Sequence, residues 1–283
     1  STNAVLRMTN AMRHRGPDDE GFLVIDSNWN SIPYAGNDTP PAVRKQYKDL
    51  QTITEACEKQ VRLVLGHRRL SIIHPTPTGH QPMADFRKRY WITYNGEIYN
   101  FQQIKKKLLK KGHIFQTDSD TEVILAAYSE WQEDCVDHFN GDFAFAIWDQ
   151  QKKCLFCARD RIGIKPFYYV LTDNYFLFAS DIKTLMASGL YTPTPDNQGL
   201  YLAMAFGIAP RPITAFEGIH ALEQSHWLRI SAEGNITKKR YWDIPIGTQE
   251  TNMSETEASG LLEESISRAV SDRLIADVPV GTF

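Results

Sequence analysis

The sequence has no apolar run approaching the ~20 residues that a membrane-spanning helix needs, so no membrane partner is expected. It carries little net charge, −3 over 283 residues, and so has no general attraction to nucleic acid or anionic lipid. Lysines cluster at 105–107 and 110–111, but no aromatic or arginine residues interleave them. They read as a solvated helix face, and no nucleic-acid partner is expected. Only four cysteines occur: Cys57, Cys135, Cys154 and Cys157. The last two have C-x-x-C spacing, yet no second pair and no histidines at ligand spacing follow, so no metal site is expected. That segment reads instead as an apolar strand in which cysteine acts as a small hydrophobe. Few cysteines and no secretory segment point to a reducing, cytoplasmic setting.

Hydrophobic residues make up 42% and charged residues 23% of the chain, a balance that supports a packed core. Val5, Leu6, Met8 and Met12 predict a helix over 3–13, with Asn3 as its cap and Arg15-Gly16-Pro17 as its stop. Residues 26–58 are rich in Asn, Pro and charge and read as a surface insertion. Short β-branched or aromatic runs predict strands at 61–65, 70–73, 90–94, 143–148, 155–158, 167–171 and 175–179. One helix is expected over 100–111, capped by Asn100, with Ile104, Leu108 and Leu109 inward. Another opens at Ser119, where Ser119 and Glu122 form a capping-box pattern. Strands around paired helices predict an α+β layered fold rather than a parallel sheet. Further strands are expected near 226–230 and 239–242. Ser254 and Glu257 then open a helix with Leu261, Leu262, Ile266, Val270 and Leu274 on one face, followed by the strand-like Asp277-Val278-Pro279-Val280-Gly281.

Four segments concentrate chemistry: Arg13-His14-Arg15-Gly16-Pro17-Asp18, His67-Arg68-Arg69-Leu70-Ser71-Ile72-Ile73, Tyr94-Asn95-Gly96-Glu97-Ile98-Tyr99-Asn100 and Thr117-Asp118-Ser119-Asp120-Thr121-Glu122. Arg69 offers a planar fork of donors that suits a carboxylate, or it is a structural arginine. Asn95-Gly96 is either a hairpin turn or an oxyanion site, where a side-chain amide and a backbone N–H meet a developing negative oxygen. Asp120 either belongs to a helix cap or holds a substrate ammonium.

In order and combination these segments resemble the class II glutamine amidotransferase domain of glutamine-dependent asparagine synthetases. The resemblance extends through Phe139-Asn140-Gly141-Asp142-Phe143, Ala158-Arg159-Asp160-Arg161-Ile162-Gly163-Ile164-Lys165-Pro166 and Phe178-Ala179-Ser180-Asp181. It implies a four-layer αββα sandwich, the N-terminal-nucleophile hydrolase fold, over 1–250. Residues 251–283 would open an α/β ATP-pyrophosphatase domain with the first helix of that domain. It implies that Arg69 binds the α-carboxylate of glutamine and that Leu70, Ser71, Ile72 and Ile73 line the pocket. Asn95 and Gly96 would form the oxyanion hole, Glu97 would border it, and Asp120 would take the α-ammonium. His67, Arg13, Arg15 and Asp18 would order the surrounding loops.

In this family an N-terminal cysteine attacks the glutamine amide, with its own α-amine, of pKa near ~8, as base. Ammonia then reaches a second domain that activates aspartate, or another carboxylate acceptor, with ATP and Mg²⁺. This sequence starts at Ser1 in a helical pattern, so the strand bearing the nucleophile is expected to precede it and the 283 residues alone are expected to be inactive. ATP and Mg²⁺ belong to the further domain, and no cofactor is expected here. A homodimer is left open. The competing expectation is a non-catalytic scaffold, as in β-lactam-synthetase-like relatives, although a scaffold needs none of Arg69, Asn95, Gly96 and Asp120 as a set.

Overall fold

A computed structural model describes residues 1–48, 50–71, 76–247 and 253–274. Helix α1 (Thr2–Ala11) is capped by Ser1, whose hydroxyl accepts from the Ala4 N–H, and not by Asn3. Strand β1 (Asp19–Asp26) pairs antiparallel with β2 (Ser31–Ala35) and with β4 (Val61–Arg69), and β3 (Gln51–Thr52) adds to β2 in parallel. Residues 26–58 are therefore no surface loop. Tyr34, Val43 on helix α2 (Pro41–Gln46), Ile53 and Ala56 are all buried. Pro33 disguised the strand, and β3 pairs only with Tyr34 and Ala35, so the missing proline N–H breaks no ladder bond.

The second sheet has six strands in the order β13-β12-β8-β7-β6-β5. They are β5 (Met83–Ala84), β6 (Tyr90–Ile98), β7 (Gly141–Asp149), β8 (Cys154–Arg159), β12 (His226–Ser231) and β13 (Ile236–Arg240). The last lies earlier than the expected 239–242. A third, three-stranded sheet contains β9 (Tyr168–Leu171), β10 (Phe176–Ala179) and β11 (Ile219–Ala221). No strand begins at Leu70 or Ser71; the rest of the expected 70–73 strand falls outside the described residues.

Strand alternation sorts the core into layers. Leu23, Leu65, Trp91, Ala146, Cys157, Phe167 and Leu228 fill the space between the six-stranded sheet and the other two. On its outer face Tyr94, Ile98, Phe145 and Phe156 meet α3 (Phe101–Lys110) and α4 (Asp120–Trp131) through Ile104, Leu108, Ile124 and Tyr128. On the far side α1 and α5 (Ile182–Ala187) cover the three-stranded sheet through Met8 and Leu185. The result is helix, sheet, sheet, helix, the αββα arrangement of an N-terminal-nucleophile hydrolase. Cys154 and Cys157 lie on opposite faces of β8, both buried, which rules out joint chelation of one ion.

Three local expectations fail. Leu109 is 51% exposed rather than inward. Asn100 makes no side-chain cap bond; its carboxamide instead bridges to His138 and Asn140. Glu122 does not close a capping box, because its carboxylate accepts from the N–H groups of Gln116 and Thr117 in the preceding loop. Beyond the sandwich lie α6 (Asn197–Phe206) and α7 (Glu255–Arg273). The capping box of α7 does close, and none of its residues is buried. The strand-like 277–281 falls outside the described residues.

Candidate active site

A cavity of about 640 Å³ opens between the sheets. Arg69, Leu70, Asn95, Gly96, Glu97 and Asp120 all line it, so residues up to 51 positions apart in sequence share one space. Ser71 is not in the lining; its N–H is held by the Asp18 carboxylate at 2.8 Å. Ile72 and Ile73 fall outside the described residues.

Arg69 ends β4. Its guanidinium rests on Gly79, where a Cβ would lie 2.1 Å from Nη2, and Nη1 donates to the Thr76 carbonyl at 3.1 Å. Burial pushes its pKa down, while Asp19, Asp18, Tyr47 and Asp120 hold the charge in place. The Asp18 backbone N–H closes on the Arg69 carbonyl, which fixes the strand end from the other side. Gly79 and Asp18 thus position the arginine. Gly79 carries no role in the sequence reading.

Asn95 and Gly96 do not form a hairpin turn. They lie within β6, opposite Ala144 and Phe143. Gly96 is required by close approach: its φ is +150° and a Cβ would fall 2.1 Å from the Asp142 carbonyl oxygen. The strand's alternation then decides which donors are free. β5 pairs only with Trp91 and Ile92, so among the described residues the rest of that edge of β6 has no strand neighbour. On this edge the Tyr94 N–H goes to Gln81 Oε1 at 2.8 Å and the Ile98 N–H to Asp120 Oδ2 at 3.1 Å. The Gly96 N–H, between them in the same two-residue phase, points the same way. Asn95 and Glu97 share the face turned to the cavity.

Asp120 is the first residue of α4, just inside the Ser119 cap. It is 4% exposed, and Oδ2 accepts from the Tyr94 hydroxyl at 2.8 Å as well as from Ile98. Burial raises its pKa above the usual carboxylate value, against the pull of those donors. A cation beside it would restore the charge. Tyr94, which carries no role in the sequence reading, is the residue that aims Asp120. His67 Nδ1 meets Thr93 Oγ1 at 3.0 Å and ties β4 to β6. Burial, with Arg69 and His80 nearby, pushes His67 down to about 3, so it is a neutral strut and not a base.

Along the cavity, β4 and β10 each present an edge that pairs with no strand among the described residues. None of the four cysteines lines it. Ser1 does, but at the Val61 end of β4, beside Lys59 and Arg62. Eight residue steps of strand, about 27 Å, separate that end from Arg69, and the Ser1 hydroxyl is already committed to α1.

A glutamine amidotransferase domain model matches residues 49–242. The chain is 41% identical, over 78% of its length, to Asparagine synthetase [glutamine-hydrolyzing] 3 of Bacillus subtilis, of which it covers 36%. It is 32% identical, over 98% of its length, to Putative asparagine synthetase [glutamine-hydrolyzing] 2 of Methanocaldococcus jannaschii, of which it covers 50%. The chain thus spans between about a third and a half of these relatives. The solved glutamine phosphoribosylpyrophosphate amidotransferase from B. subtilis superposes with a TM-score of 0.59 at 18% identity, over 86% of this chain and 47% of that one, and shares the fold. The chain belongs to the class II glutamine amidotransferase family, next to asparagine synthetases named as glutamine-hydrolysing.

Proposed function

We propose that the cavity binds glutamine and that the chain is the glutamine-hydrolysing part of a glutamine-dependent asparagine synthetase. The observation that carries this reading is the convergence of one fixed cation, one buried anion and a free strand-edge N–H on one cavity. A free amino acid needs the first two for its carboxylate and ammonium. Its carboxamide needs the third. Arg69 takes the α-carboxylate by a charge-assisted fork, Asp120 takes the α-ammonium, and the Asn95 side chain with the Gly96 N–H receives the charge that develops on the amide oxygen.

The nucleophile in this reading is an N-terminal cysteine on a strand seated along the free edges of β4 and β10. Such a strand would enter at the Arg69 mouth and leave beside Ser1, where α1 begins. Its thiol proton passes to its own α-amine and then to the leaving ammonia, and water releases glutamate from the thioester. The acceptor, aspartate in this reading, would be activated by ATP and Mg²⁺ outside these residues. Among the described residues no three carboxylate, imidazole or thiol groups converge as a metal site would need.

In the full-length protein, Arg69→Ala should raise the KM for glutamine by roughly 30-fold or more, the scale of a lost buried charge partner. Ammonia-dependent amide formation should not change. Unaltered glutamine hydrolysis would remove the carboxylate clamp and the reading with it.

A further inference from the structure

We propose that Arg273, near the end of α7, is a positioning residue of the glutamine cavity: by pairing with Asp142 it keeps Glu97 the charged member of the cavity wall, so the docking of α7 sets how strongly the cavity rejects a carboxylate in place of a carboxamide. The inference rests on glutamine as the ligand of the cavity.

Glu97 and Asp142 are directly opposed across β6 and β7, on the face that Asn95 shares. Two like charges in that arrangement repel. Arg273 Nη2 lies 3.5 Å from Asp142 Oδ1, its guanidinium stands 4.9 Å from the Tyr99 ring centre, and the Tyr99 hydroxyl donates to Asp142 Oδ2 at 2.8 Å. These are side-chain contacts between the exposed α7 and the sheet, and they end one cross-strand step from Glu97. The charges acting on Glu97 are Lys165 from the loop after β8, Asp120 from α4 and Asp142 from β7; Tyr94 on its own strand and Tyr99 just past the end of that strand are also within electrostatic reach. Lys165 lines the cavity and makes no ion pair within 4 Å among the described residues, so it compensates Glu97 without locking it.

Burial first, then Asp120 and Asp142, raise Glu97 above the usual carboxylate value, and Lys165 opposes them. With Arg273 in place, the Asp142 charge is balanced and Glu97 ionises more readily. An ionised Glu97 beside Asn95 and Gly96 tolerates the neutral amide of glutamine and repels the second carboxylate of glutamate. The pair Asp142–Arg273 thus connects α7 to the release of product.

A charge cycle tests this in the 283-residue chain. The ¹³C carboxyl resonance of Glu97, assigned through Glu97→Gln, is titrated in four proteins. Arg273→Met should raise its midpoint by about half a pH unit, as expected for a partly solvated charge a few ångströms removed. Asp142→Asn should lower it, and the double variant should return it near the starting value. A helix that merely frays would not give opposite signs. Equal midpoints in all four proteins would overturn the proposal, whatever the ligand. The consequence is read by calorimetry: Arg273→Met should reduce the preference for glutamine over glutamate, and Arg273→Lys should restore it. If glutamine does not bind even to the full-length wild type, the reading of the cavity fails, while the titration still decides the coupling.

Discussion

Helices α4 and α7 begin alike and end differently. Each opens on a serine cap with a glutamate three residues on, and each hydroxyl accepts a first-turn N–H. In α7 the capping box closes, because Glu257 reaches back to the Ser254 N–H at 2.9 Å, and every residue from Glu255 to Arg273 stays unburied. In α4 the glutamate turns outward to hold the 116–117 backbone, and seven residues, Asp120 to Tyr128, enter the core against β6. The locally better cap belongs to the helix that buries none of its residues among those described. Capping decides that a helix starts; the sheet beneath decides whether its first turn becomes a site. Asp120 is a cap-region carboxylate like Glu255, but Tyr94 and Ile98 draw it into a cavity.

The largest expected effect strikes at that distinction. Asp120→Asn keeps an oxygen for Tyr94 and Ile98 but loses the charge. Glutamine affinity should fall by about 2–5 kcal/mol, roughly 30-fold or more, measured by calorimetry. Stability should move the other way. Burial raises the Asp120 pKa, so the folded chain holds that proton more tightly than the unfolded chain. Its contribution to stability is complete below the ordinary carboxylate value and is lost as pH rises through the raised one. Asp120→Asn removes that loss, so the variant should unfold at equal or higher urea than wild type at neutral pH. Wild-type glutamine affinity should itself fall as pH drops through the raised value. A variant that bound glutamine normally would return Asp120 to a plain helix start.

A second pair sharpens the contrast in packing. Ile124 is fully buried against the sheet and Ile266 is 55% exposed, although both are apolar positions of a helical stripe. Ile124→Ala should cost about 2–5 kcal/mol of unfolding free energy. Ile266→Ala should stay within about 0.5 kcal/mol. Similar losses at the two sites would mean that α7 is packed as firmly as α4.

The same physics explains what the sequence displayed. The runs in β6, β7, β8 and β10 were legible because aromatic and β-branched residues cluster there between turn signals. β1 was not, because it opens on Asp19 and Glu20, charged residues that carry no strand signal. Their burial depends on partners remote in sequence, His80 at 2.8 Å and Arg68 at 2.9 Å. β2 was hidden by Pro33, and the Asn95-Gly96 turn signal was overridden by the β7 backbone that only a glycine can approach. Arg69, Asn95, Gly96, Glu97 and Asp120 of the candidate site were singled out through family resemblance, and they share one cavity. Which N–H was free was not, since that follows from β5 covering only two residues of β6.

The smallest effect isolates the caps. Ser119→Ala removes the acceptor for the Thr121 N–H at a buried helix start, and a lost cap typically costs ~1 kcal/mol. Because α4 is tied to the sheet, that cost should appear in the global urea midpoint. Ser254→Ala removes the locally better cap, yet α7 can fray without exposing any core, so the midpoint should not move. The loss should instead appear as faster amide exchange over the first turns of α7. A global shift from Ser254→Ala equal to that from Ser119→Ala would show that the two helices share one cooperative unit, and the division between a cap that builds a helix and a layer that employs it would fall.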